Sequence, residues 1–221
     1  MKKLFNVLGW LILLFVISSN RLNFLLSDGI VIVLCTISAL FLCIGIIMNR
    51  KRWPIPIGRT VRKILVFHSA GSLVLWQFQS GININFPASH IVFHILTMFN
   101  VGFLEEIIFR GFLFKMMAKD GLKSAIIVSS LTFGLGHIVN LLNGADFIPT
   151  LMQVCYAVSI GYLFVVIFHK SKSLVPCIIT HSVFNAVSIF NDGSTSIYIR
   201  SIVIIALTLG YAIYINKTVK E

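Results

Sequence analysis

Acidic residues are scarce in this sequence: 7 Asp and Glu stand against 18 Lys and Arg in 221 residues, and charged side chains of both signs make up only 11%. Ordinary soluble domains carry about 25%, so a water-soluble globular fold is excluded. Cysteine is sparse too. Cys35, Cys43, Cys155 and Cys177 stand singly in apolar segments with no CxxC or other ligand spacing. That pattern argues against a disulfide framework or a cysteine zinc site, and the four read as buried small hydrophobes. The sequence has neither a GxSxG nor an HExxH motif, so the usual serine-hydrolase and zincin signatures are missing. No soluble linker, low-complexity tract or internal repeat interrupts it.

Apolar residues fill the space. The chain is 57% hydrophobic with a mean hydropathy of +0.96. A membrane span takes about 20 apolar residues, so this length holds about eight with short loops. The expected fold is all-α: a polytopic membrane protein forming one transmembrane domain over residues 1–221. Apolar runs place spans near 4–19, 22–48, 61–79, 90–114, 124–142, 149–169, 174–190 and 197–215. The start, Met1-Lys-Lys before an apolar run, reads as a retained first span, because "VISSN" offers no A-x-A cleavage pattern.

The basic residues report topology. With eight spans, every Lys and Arg except Arg21, Arg110 and Arg200 falls on one side, which the positive-inside rule makes cytoplasmic, together with both termini. The net charge of +11 therefore does not indicate nucleic acid binding, which needs a basic face on a folded domain. The long basic loop "NRKRWPIPIGRTVRK" reads as an interfacial anchor facing anionic lipid.

Against this background the segment "NVGFLEEIIFRGFLF" is anomalous, because Glu105, Glu106 and Arg110 lie inside a span. Each such charge costs about 2.5 to 3.5 kcal/mol at a bilayer centre and survives when paired or facing a polar cavity. Helical spacing puts Glu106 and Arg110, four apart, on one face as an ion pair, while Glu105 points about 100° away. Glu105 is thus the carboxylate free for general-base work. "LTFGLGHIVN" sets Phe133 and His137 four apart on the fifth span, and "CIITHSVFNAV" does the same for His181 and Asn185 on the seventh. Counted from the flanking lysines at 1.5 Å per residue, Glu105, His137 and His181 lie roughly 15, 21 and 14 Å deep, close enough to converge. His68, His90, His94 and His169 read as structural. Ser182 adjoins His181 but cannot face it on a helix, and Cys177 as nucleophile leaves the glutamates unexplained.

"EEIIFR", "FGLGH" and "HSVFN" fit Glu-Glu-x-x-x-Arg, Phe-x-x-x-His and His-x-x-x-Asn. In that order on helices four, five and seven, they resemble the CPBP family of intramembrane proteases, which includes the type II CAAX prenyl endopeptidases and bacterial Abi proteins. The likeness covers residues 100–191. It implies that Glu105 is the general base, that His137 helps position and activate the water, and that His181 with Asn185 stabilises the oxyanion. Glu106, Arg110 and Phe133 would support them. No metal is assigned; if zinc takes part, Glu105, His137 and His181 are the candidate ligands. The expected substrate is a hydrophobic or lipidated peptide or a membrane-protein tail, cleaved near the cytoplasmic side of a bacterial plasma membrane. The competing classes are a non-catalytic bacteriocin-immunity or interaction protein and a proton-coupled transporter.

Overall fold

The structure is a computed structural model that describes residues 82–191 and 195–219. The first three expected spans, the retained amino-terminal span, the basic anchor loop, His68, Cys35 and Cys43 lie outside the described residues. Five helices follow: α1 Ala88–Met117, α2 Leu122–Leu142, α3 Phe147–Ser171, α4 Val175–Phe190 and α5 Ile197–Thr218. They coincide with the fourth to eighth apolar runs to within a few residues. Helices α1, α2, α3 and α5 are 30, 21, 25 and 22 residues long and apolar enough to cross a bilayer; α4 is apolar but shorter. The described part is all-α, its one extended pairing being an isolated bridge between Ile82 and Asn191.

Local chemistry explains the breaks. Helix α3 ends where Lys172 turns left-handed, with φ of 56°. Helix α4 then starts with Pro176 in its first turn, where the missing N–H leaves no helical bond unmade. Helix α3 is the centre: 61% of its most apolar stretch is buried, against 33% for α1, 28% for α2 and 22% for α5. It packs along α2 and α5, while α4 packs mainly on α1. The exposed side chains of Ile127, Leu131, Leu135, Ile202 and Ile213 form an apolar outer surface, which lipid tails solvate as well as another leucine would.

Two glycines set the close crossings. A Cβ on Gly102 would lie 2.9 Å from the Ser182 backbone, and one on Gly134 would lie 2.7 Å from Val158 N and 2.9 Å from Val154 O. Their lack of a side chain lets α1 meet α4 and α2 meet α3 backbone to backbone. The register follows: Ser182 Oγ donates to the Phe99 carbonyl, Glu106 meets His181, and His94 meets Asn185, so α1 and α4 run antiparallel.

One expectation is corrected here. Cys177 is buried, its Sγ 3.4 Å from the Phe164 carbonyl, but Cys155 is exposed, because its position on α3 faces outward. His94, read as structural, ties α1 to α4: its Nε2 lies 3.3 Å from the Asn185 carbonyl oxygen.

Candidate active site

The two adjacent glutamates end the α-helical part of α1, and the next eight residues, Ile107–Phe114, are wound as a π-helix. The uninterrupted α-helix expected from the spacing is therefore not what this segment adopts. Wider i to i+5 winding inside a helix is a feature of functional sites. Here it surrounds Arg110. Ser129 from α2 supports the segment by donating its hydroxyl to the Phe109 carbonyl at 3.0 Å.

The Glu106–Arg110 pair survives the altered winding. Arg110 Nη1 donates to Glu106 Oε1 at 2.8 Å, and both side chains are fully buried. Arg110 Nη2 donates to the Gly161 carbonyl of α3 at 3.1 Å. The guanidinium carbon lies 4.3 Å from the centroid of Phe133 and 5.3 Å from that of Phe164, a cation–π cradle that replaces part of the lost hydration. Glu106 Oε2 has no partner among the described residues, so Oε1 carries its contacts.

His181 joins the glutamates across the α1–α4 interface. Its Nδ1 lies 2.9 Å from Glu106 Oε1 and its Nε2 3.5 Å from Glu105 Oε2. An ionised carboxylate only accepts, so Nδ1–H donates to Glu106 and Nε2 is turned to Glu105. Glu105 keeps 14% of its side-chain surface while Glu106 keeps none. Phe133 ties the arrangement together, with the His137 and His181 rings both T-shaped against it at 5.9 and 5.5 Å between centroids.

His137 sits in a short 3-10 turn, Gly136–Ile138. Its Nδ1 is 3.3 Å from Gln153 Nε2 on α3, and Asn140 Nδ2 donates to Gln153 Oε1 at 2.8 Å. Asn185 is placed one turn beyond His181, where its carbonyl accepts from Ser188 at 2.7 Å and faces His94. Arg110, His137 and His181 thus surround the Phe133 ring, Glu105 and Glu106 join them through His181 and Arg110, and Asn185 lies at the adjoining turn. Together they offer a carboxylate with residual access, an imidazole pinned between two acids, and amide and imidazole donors. That set can move a proton and stabilise a developing negative charge.

Residues 87–187 match the model of the type II CAAX prenyl endopeptidase Rce1-like family. Over this segment the chain is similar to the CPBP/CAAX proteases. Searches of the curated proteins and of the solved structures returned no match. The Rce1-like segment spans α1 to α4 and so contains every motif residue. Four helices long and apolar enough to cross a bilayer accompany it, and together they point to an integral membrane protein that carries an Rce1-like segment.

Among the described residues no group of three His, Cys, Asp or Glu converges with ligand geometry, and His181 has its ring nitrogens turned to carboxylates. No step is therefore routed through a metal. The motif spacing does not point to Gln153, Asn140 or Ser129. Their signal is polarity alone: an amide or hydroxyl inside an apolar run must find a partner on another helix.

Proposed function

We propose that this chain is an intramembrane endopeptidase in which Glu105 activates a water to hydrolyse a peptide bond. The observation that carries the proposal is the unequal treatment of two neighbouring carboxylates. Glu106 is sealed between Arg110 and His181, whereas Glu105 keeps access and faces one imidazole nitrogen. Glu105 takes a proton from the water as its oxygen attacks the carbonyl carbon. It then delivers that proton to the leaving nitrogen as the C–N bond breaks. The developing oxyanion is met by the Asn185 side-chain amide and by the Nε2–H of His181 when the ring carries hydrogen on both nitrogens, its Nδ1–H being held by Glu106. His137 lines the same centre, and what it contributes depends on which ring nitrogen carries the hydrogen.

Ser182 and Cys177 are poor nucleophile candidates in this geometry. Ser182 is buried and donates to the Phe99 carbonyl beneath Gly102, and Cys177 is fully buried against α3. The favoured substrate is a hydrophobic or lipidated peptide, or the tail of a membrane protein, entering from the cytoplasmic side or from lipid. The proposed setting is a bacterial plasma membrane with both termini in the cytoplasm.

The test is cleavage of a quenched, membrane-partitioning peptide library by purified protein in nanodiscs, with wild type, Glu105→Gln and His137→Ala, with and without a chelator. Cleavage that survives the chelator and falls by at least about 10²-fold in Glu105→Gln fits general-base catalysis. Cleavage lost to the chelator and restored by zinc would make the enzyme metal-dependent. Equal cleavage by all variants would exclude this site.

A further inference from the structure

His137 is held by two residues that lie outside the motif positions. Asn140 follows it by three on α2, so the two share the face turned to α3. The close approach at Gly134 brings that face against Gln153. The two ends of a side-chain amide are chemically distinct: the oxygen accepts and the NH2 group donates. Asn140 Nδ2 occupies Gln153 Oε1 at 2.8 Å, so the end of Gln153 turned to His137 is the donor. His137 Nδ1, 3.3 Å away, must then offer a lone pair. A neutral imidazole with its lone pair at Nδ1 carries its hydrogen on Nε2.

We propose that Asn140 and Gln153 form a positioning relay that locks His137 as the Nε2–H tautomer, so that it presents a hydrogen-bond donor to the reacting centre. The relay rests on the endopeptidase reading and deepens it. A ring whose Nε2 already bears hydrogen neither takes the water's proton nor offers that nitrogen to a metal. Glu105 is left as the base, and His137 joins Asn185 as a donor to the oxyanion. Gln153 and Asn140 touch no reacting atom and act only through His137.

Substituting Gln153→Glu isolates the relay. Glutamate has nearly the same shape and still accepts from Asn140, but its ionised carboxylate only accepts. It therefore demands a hydrogen on Nδ1, which in the neutral ring leaves Nε2 with a lone pair. The measurement is 15N NMR of histidine-labelled protein in nanodiscs, with the His137 signals assigned by their loss in His137→Asn, alongside steady-state peptide cleavage. The relay predicts Nε2–H in the wild type, Nδ1–H in Gln153→Glu, and a kcat at least roughly 10-fold lower with little change in KM, as expected for loss of a transition-state donor. Gln153→Ala should show a mixture of tautomers and a smaller loss. Nδ1–H in the wild type, or a Gln153→Glu variant that cleaves as well as or better than wild type, would overturn the relay. The NMR arm needs no turnover. Protein that shows Nε2–H yet cleaves nothing would uphold the tautomer lock and count against the endopeptidase reading alone.

Discussion

Glu105 and Glu106 are neighbours in the chain, but the fold treats them as different residues. Glu106 faces the interior, fully buried between His181 and Arg110, and Arg110 is in turn cradled by Phe133 and Phe164. Glu105 faces the partly open side, with His181 Nε2 at 3.5 Å. A buried ion pair adds little net stability, but removing one partner leaves a charge that nothing compensates. The Glu106 side is thus built to hold its shape, and the Glu105 side to exchange a proton. Identical side chains acquire separate roles from about 100° of helical rotation.

The largest disruption should come from Arg110→Met, which strands Glu106 inside the protein and should cost about 3 to 5 kcal/mol. Unfolding in detergent would measure it. The double variant Glu106→Gln/Arg110→Met should recover part of the loss, and simple additivity would show that the pair is not coupled. Next, Gly102→Val drives a side chain into the Ser182 backbone, 2.9 Å from the position of its Cβ. The helices must separate, at about 1 to 3 kcal/mol, and His181 moves away from both glutamates. Peptide cleavage should fall with stability, and unchanged cleavage would mean that the α1–α4 crossing does not position His181. Phe133→Leu removes the ring shared by Arg110, His137 and His181; about 1 to 2 kcal/mol is expected from lost cation–π and packing energy, read as a lower Tm. The smallest effect should be that of Ser129→Ala, about 1 kcal/mol for one hydrogen bond to the Phe109 carbonyl, with cleavage little changed. A large loss of activity there would tie the π-wound segment to the chemistry.

Much of the described fold was legible because apolar runs and polar breaks follow directly from the bilayer as solvent. All five described helices fall on expected runs, and the Glu106–Arg110 pair follows from spacing alone. Contacts between helices were not legible. Nothing in the spacing shows that His181 sits between both glutamates, since that depends on the crossing at Gly102. The π winding of Ile107–Phe114 was hidden too, because its sequence is as apolar as an α-helical span. The partner of His94 was hidden as well, because it is a backbone carbonyl, which every residue has and no sequence marks. Gln153 was the missed clue: an amide in the apolar run "LMQVCY" needs a partner on another helix, and finds His137 and Asn140.

The division of labour between the two glutamates is tested most directly by comparing Glu105→Gln with Glu106→Gln, measuring peptide cleavage and Tm on the same preparations. The account predicts that Glu105→Gln keeps a Tm close to wild type while losing at least about 10²-fold in cleavage, and that Glu106→Gln lowers Tm markedly. A folded Glu105→Gln protein that cleaves at the wild-type rate would contradict it.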